Sequence, residues 1–350
     1  MNKRPYNYVV GAGGIGTGRF FELEGNHTLG RSESRLAKFT EYRDYCKLHI
    51  ILHYAAVFLQ GEIPVYAIGR VGADEEGKAL KKEMEKAGIN VLYVNEDINY
   101  PTMYSICCQY PDGEGFNVTA NNSACQAVGV NDINRFFNEE GAEGHGLIIA
   151  APEVPLETRI HLLRKGKEKH CFNAAAVPSS ETRSFTEQGG IALTDLIALN
   201  IEEAHAFTSP DKEEDAADEQ IIEDCGKYLQ SINPEIAVLI TQGARGASIR
   251  SRERFHKRGA MDVRVVNTAG AGDCFLGTVA AAMVKGVDLL PSDSGDKNSS
   301  AMDIGIAASG KKVTCKDTID FSMSIKSLEN FAREQGVFFP EEHQKFWRLA

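Results

Sequence analysis

Short apolar runs recur along this chain, separated by longer stretches in which apolar residues return every three or four positions. Tyr8-Val9-Val10, Val65 to Ile68, Gly146 to Ala150, Leu196 to Leu199 and Ile236 to Ile240 are too short for helices and too evenly apolar for surface strands. Helical spacing predicts Tyr45 to Leu59, Glu75 to Ala87, Leu156 to Lys167, Ile201 to Phe207, Ala216 to Ser231, Cys274 to Lys285 and Met302 to Val313. Strands buried on both faces and alternating with helices demand a parallel sheet with right-handed crossovers. The expected fold is therefore α/β, a three-layer α/β/α sandwich with a mainly parallel central sheet, read as one domain over residues 1–350.

One region breaks that rhythm. Tyr104 to Tyr110 and Phe116 to Thr119 flank Pro111-Asp112-Gly113-Glu114-Gly115, which predicts a hairpin. With the polar segment Thr17 to Tyr42 it would form a small antiparallel lid, built from about 17–42 and 100–122. The acidic run Asp211 to Glu219 and the stretch Pro291 to Ser300 read as solvated loops.

A formal net charge of −11 argues against nucleic acid or an anionic membrane as the main partner. No run approaches membrane-spanning length and no apolar signal core follows Met1, so the expected location is cytoplasmic. The eight cysteines show no metal-ligand spacing and read as reduced, mostly buried thiols.

Chemistry concentrates near the C-terminal end. Val265-Val266 is predicted to close a strand, and Asn267-Thr268-Ala269-Gly270-Ala271-Gly272-Asp273 to lead from it into a helix through a loop of small residues. Amides of Gly270, Ala271 and Gly272 can converge at that helix N-terminus on an anion. Asp273 beside them would accept a proton from a hydroxyl attacking a bound phosphorus. A plain tight turn with Asp273 as helix cap suits the same residues.

Gly11-Ala12-Gly13-Gly14-Ile15-Gly16 follows a strand with the spacing of a dinucleotide-binding fingerprint. That motif needs a helix next, whereas Thr17-Gly18-Arg19-Phe20 and Gly25 leave no room for one. An NAD(P)-binding oxidoreductase is accordingly the lesser alternative. Asn200 and Glu203 stand one turn apart at a strand-to-helix junction, able to hold phosphate and hydrated Mg²⁺ or simply to cap the helix. Thr241-Gln242-Gly243-Ala244-Arg245-Gly246 ends another strand in a glycine-spaced turn, and Gly69 to Gly77 links a strand to a helix, with Asp74 suited to capping it.

In order and together, these pieces resemble the ribokinase-like (PfkB) carbohydrate kinase family, from about Tyr8 to Asp320. Its D-T-x-G-A-G-D motif resembles Asn267 to Asp273, N-x-x-E resembles Asn200 to Glu203, and T-x-G-x-x-G resembles Thr241 to Gly246. The resemblance implies an ATP-dependent, Mg²⁺-requiring phosphotransferase acting on an alcohol of a sugar or sugar-like small molecule. Asp273 would be the base, and the backbone from Ala269 to Gly272 the anion hole. Asn200 and Glu203 would organise Mg²⁺, partly through water, while Thr241, Gly243, Gly246, Thr268 and Ala269 would line the nucleotide. Relatives often pair through the lid, so a homodimer there is a further expectation.

The acceptor half departs from the family. No acid stands near Gly16 where relatives carry a sugar-gripping Asp, and Lys47-Leu48 and Leu52 replace the Gly-Gly pair and its downstream Asn. Gly14, Gly16, His49 and Glu153 are the candidate acceptor contacts. His27, Arg31, Glu33, Arg35 and His53 suggest an acceptor bearing an anionic or heterocyclic group. Asn267, in place of the usual Asp, puts a monovalent cation in question. A nucleotide- or sugar-binding regulatory protein without turnover is the main alternative.

Overall fold

The computed structural model describes residues 6–111, 115–140, 145–208, 217–252, 254–291, 300–339 and 346. The chain opens with β1 (Tyr8–Ala12), β2 (Gly16–Leu23), β3 (Ala37–Tyr45), α1 (Lys47–Leu59), β4 (Val65–Gly72), α2 (Glu75–Lys86), β5 (Ile89–Asp97), β6 (Met103–Gln109) and β7 (Gly115–Thr119). Next come α3 (Val130–Glu139), β8 (Gly146–Ala150), α4 (Leu156–Glu168), β9 (Phe172–Ala176), α5 (Thr182–Glu187), β10 (Leu196–Asn200), α6 (Ile201–Thr208) and α7 (Asp218–Ile232). The last part holds β11 (Ala237–Thr241), β12 (Ala247–Ser251), β13 (Arg254–Arg258), α8 (Ala271–Val284), α9 (Ala301–Lys312) and α10 (Ile325–Glu334).

Nine strands form one sheet in the order β13-β12-β11-β10-β9-β8-β1-β4-β5. It is parallel from β11 to β5, with β12 and β13 added antiparallel at one edge. Alternate residues of the inner strands serve opposite faces. Val9, Leu147 and Ile149 pack in the layer of α1, α8 and α9, while Val10, Ile148 and Ala150 pack in the layer of α3, α4 and α7. A Cβ on Gly277 would lie 2.2 Å from the Ile51 carbonyl, so glycine there lets α8 seat directly on α1.

The strand order reverses between β1 and β8. Crossovers from β1 lead outward to β4 and β5, those from β8 to β9, β10 and β11, and a crevice opens at their C-terminal ends. Matched register brings Ala12 opposite Ala150 and Asn200 opposite Thr241 along that one edge.

The lid is a second sheet, β3-β2-β6-β7. It is not wholly antiparallel as expected, because its central pair, β2 and β6, runs parallel. Both strands leave the same edge of the main sheet, β2 after β1 and β6 after β5, and so travel in the same direction. The glycine segment after β1 therefore turns into a strand, which removes the dinucleotide-binding alternative's helix.

Two local expectations are corrected. Val265 and Val266 are 55% and 44% exposed and lie in no strand; the amides of Val266 and Asn267 donate to the Val313 carbonyl at 2.7 and 3.1 Å instead. The first helix begins at Lys47, since Tyr45 belongs to β3. The hairpin turn at 112–114, most of the acidic run and residues 292–299 lie outside the described residues.

Candidate active site

Three elements pin the loop before α8. The Asn267 side-chain amide donates to the Lys316 carbonyl at 2.6 Å, and its oxygen accepts the Ala269 amide at 2.9 Å. Ala271 N–H donates to Thr268 O at 3.1 Å. Gly270 has φ +76°, and a Cβ there would fall 2.6 Å from the Thr318 carbonyl, so only glycine fits this turn without strain. The expected anion hole is thereby narrowed. Ala269 and Ala271 spend their amides inside the loop, whereas those of Gly270, Gly272 and Asp273 meet no protein acceptor among the described residues.

Asp273 sits in the first turn of α8 and keeps partial contact with solvent. Burial pushes its carboxyl up to about 6; Lys47 opposes that rise, while Glu203 and Asp44 add to it. Lys47 Nζ donates to Glu203 Oε1 at 2.9 Å. Burial disfavours the Lys47 ammonium, yet Asp273, Glu203 and Glu153 together hold its affinity for the proton above the usual lysine value. One cation thus lies among three acids.

Asn200 and Glu203 form the reciprocal cap the sequence allowed. Asn200 N–H donates to Glu203 Oε2 at 2.8 Å, and Glu203 N–H to Asn200 Oδ1 at 2.7 Å. Capping leaves the carboxylate buried at 7% exposure, aimed at Lys47, where it is still a hard oxygen donor. Among the described residues no group of three His, Cys, Asp or Glu could hold a metal. That donor set suits Mg²⁺, which keeps several waters, takes phosphate oxygens and needs few protein ligands.

Thr241 ends β11 facing the loop: its Oγ1 is 3.9 Å from where a Cβ on Gly272 would sit. Gly243, at φ +54°, has open space beside it. Gly246, at φ +90°, passes so close to β13 that a Cβ would meet the Arg258 carbonyl at 2.0 Å. The glycine-spaced turn therefore leaves an uncluttered shelf next to the free amides.

At the crevice between β1 and β8, Glu153 adopts φ +76°. Its Oε2 is buried without a hydrogen-bond partner and lies 2.5 Å from where a Gly14 side chain would begin. Burial drives this carboxyl up to about 7, the neighbouring Cys46 and Lys47 pulling back and Asp273 and Asp44 pushing further. Asp44, at the end of β3, accepts from the Thr318 hydroxyl at 3.1 Å and the Cys107 thiol at 3.2 Å, and burial raises its carboxyl as well.

Other acceptor expectations are not met. His49 is fully buried on α1, its ring edge-on to Tyr45 at 4.9 Å, and burial lowers it to about 3. Gly16 serves the lid instead: a Cβ there would meet the Met103 carbonyl at 2.6 Å. His53 is likewise buried, against Tyr54 and Phe321. In the β2–β3 connection, Glu33 accepts from His27 at 3.0 Å and from Arg35 at 2.8 Å, so these charges answer one another. Of the lid charges that suggested an anionic or heterocyclic acceptor, these three are accounted for, and Arg31 is exposed.

Asp44 and Lys47 were missed by sequence reasoning. Either could have been found by asking which polar residues flank the start of the first long helix, where the family's glycines are absent. Lys312 was also missed. It ends α9 with no exposed surface and donates to the carbonyls of Asn267, at 3.0 Å, and Ala269.

Residues 52–324 match the pfkB family carbohydrate kinase profile. A ribokinase of Arabidopsis thaliana is 24% identical over 227 residues, covering 64% of this chain and 58% of that protein. The chain thus spans under two thirds of that relative's length. The ribokinase structure from Giardia lamblia superposes with a TM-score of 0.77 at 17% identity, over 92% of this chain and 99% of that one. The Arabidopsis thaliana ribokinase complexed with ribose and ATP gives 0.64 at 17% identity, over 99% and 100%. These structural likenesses establish a shared fold.

Proposed function

The chain belongs to the pfkB family of carbohydrate kinases, and from that premise we propose that it transfers the terminal phosphoryl group of ATP to an alcohol of a neutral sugar or sugar-like polyol. One observation carries this reading: the Asp273 carboxylate stands at the N-terminus of α8, beside the free amides of Gly270 and Gly272 and coupled to the Lys47 ammonium.

The nucleotide lies along the shelf of Thr241, Gly243 and Gly246, with its terminal phosphate at the loop. Gly270 and Gly272 donate to the phosphoryl oxygens, aided by the dipole of α8. Asn200 and Glu203 would hold Mg²⁺, which when bound neutralises charge on the phosphates. Lys47 supplies fixed positive charge between the acceptor and that cluster. Asp273 takes the proton of the attacking hydroxyl as its oxygen bonds to phosphorus, which spares the acceptor an unstable oxonium. Little covalent work is asked of the protein, since phosphoryl transfer depends mainly on alignment and charge.

Glu153 and Asp44 grip the acceptor's other hydroxyls. Glu153 brings an unsatisfied buried oxygen, and Asp44 stands in for the acid absent near Gly16. Three carboxyls around the acceptor repel anions, which favours a neutral polyol over a phosphosugar. The ribokinase relative and the ribose and ATP complex support the same class.

ATP consumption measured against free pentoses, hexoses, nucleosides and phosphosugars tests the reading. A neutral polyol should be the best acceptor, and Asp273→Asn should lower turnover by roughly 10²–10⁴-fold while leaving ATP affinity nearly intact. Full turnover in that variant would remove Asp273 from its role. ATP binding without turnover of any acceptor would instead mark a binding protein.

A further inference from the structure

Lys312 is enclosed by protein, yet no carboxylate lies within ion-pair distance of its nitrogen among the described residues. Burying an ammonium without a counter-ion is costly, and lysines are almost never fully buried unless paired. Here the ammonium faces backbone carbonyls, those of Asn267 and Ala269, just behind the anion loop. Carbonyl groups gathered on one point are also how proteins hold a dehydrated monovalent cation.

The geometry of the peptide unit gives this contact a consequence. In a trans peptide the C=O and the following N–H point in opposite directions. A cation drawing the Ala269 carbonyl toward α9 therefore turns the Gly270 amide away from it, and the Asn267 carbonyl does the same for the Thr268 amide. Gly270 N–H is one of the loop donors left without a protein acceptor among the described residues.

We propose that Lys312 is a positioning residue: a tethered cation that aims and polarises the amides of the phosphoryl-binding loop, and that makes a free monovalent cation unnecessary there. The inference rests on the kinase reading above. It is also compatible with Asn267, whose carboxamide donates to the Lys316 carbonyl as well as accepting the Ala269 amide, a donation that an ionised carboxylate could not make.

Burial pulls the Lys312 ammonium down to about 8. Cys274 and Asp273 of α8, together with Cys315 and Asp320 beyond α9, face it and oppose that fall. Its charge is thus present below about pH 8 and is lost as pH rises through that value.

The test compares wild type with Lys312→Met in potassium-free buffer and in KCl or NH₄Cl. Two readouts are taken: the melting-temperature rise produced by MgADP with aluminium fluoride, a mimic of the migrating phosphoryl group, and turnover of the best acceptor. Wild type should respond equally, within about twofold in turnover, with and without potassium. The variant should lose most of the aluminium fluoride increment but keep that of MgADP, and its turnover should fall about 10²-fold. Potassium or ammonium should restore at least part of both. The alkaline decline near pH 8 should vanish in the variant. A wild-type requirement for potassium, a variant equal to wild type, or a loss that no monovalent cation repairs would each overturn the proposal. Absence of any MgADP response in wild type would instead count against the kinase reading, so the two failures are separable. If Lys312→Met does not fold, the potassium dependence of the wild type alone decides.

Discussion

Lys47 Nζ lies 2.9 Å from Glu203 Oε1 and is coupled as well to Asp273, so a single ammonium links the helix-capping carboxylate to the proposed base. Lys47→Met should remove that link. Turnover is expected to fall about 10²–10³-fold, as for loss of one charge-stabilising group. Asp273 would also lose the cation that holds its carboxyl down, moving the acidic limb of the pH–rate profile upward. An unmoved limb would show that Lys47 acts on phosphate alone.

The pH dependence of wild-type turnover follows from the proposed base. Asp273 must be ionised to accept a proton, and burial raises it to about 6, so activity should climb as pH rises through that value. For stability the sign is opposite. A carboxyl that binds its proton more tightly folded than unfolded destabilises the fold once ionised, above about pH 6, and does not below about pH 4. Asp273→Asn should therefore raise the melting temperature at pH 7.5, by the equivalent of about 1–2 kcal/mol given its contact with solvent. That gain should shrink toward pH 4, which thermal melts across the range would reveal.

Glu153→Gln keeps shape and removes charge. Because the ionised form accepts acceptor hydroxyls more strongly, KM for the acceptor should rise about tenfold, the equivalent of one good hydrogen bond. In wild type that KM should fall as pH rises through about 7, and in the variant the trend should disappear. An acceptor KM indifferent to this substitution would place the hydroxyls elsewhere.

Gly246→Ala meets two obstacles, a left-handed backbone at φ +90° and the Arg258 carbonyl 2.0 Å from the new Cβ. The turn must shift, at a cost of roughly 1–3 kcal/mol. ATP affinity should weaken while acceptor binding is spared, which calorimetry with each ligand alone would show. Gly243→Ala, with open space beside it, should be milder.

Most of the parallel sheet was legible in the sequence because β1, β4, β8, β10 and β11 each contain a short apolar run; inner strand β9 was not, since it holds a buried Asn173 and three alanines in place of large apolar residues. Edge strand β5 was not, since it alternates buried Val91 with exposed Leu92, and β12 and β13 carry arginines on a sheet edge. The turn into α8 was legible because Gly270 answers a local demand, a left-handed backbone at φ +76°, although the Thr318 carbonyl that also excludes a side chain there was not. Val265 and Val266 misled because β-branched residues resemble a strand even where the neighbouring amides, those of Val266 and Asn267, go to the Val313 carbonyl at the end of α9 instead.

The acceptor side shows where local reading runs out. His49 and Lys47 are neighbours on α1, alike in polarity, yet one faces the core and the other the crevice. Helix orientation is set by α8 packing on the far side, which no window around residue 47 contains. What the sequence settled unaided was most of the parallel sheet and the glycine turn that leads Asp273 into the first turn of α8, because backbone conformation and burial are encoded largely by adjacent residues. Which charges surround that turn, Lys47 and Asp44 before it and Lys312 behind it, was decided only when the crossovers brought distant segments to one edge. Charge interactions depend on distance through space, not along the chain.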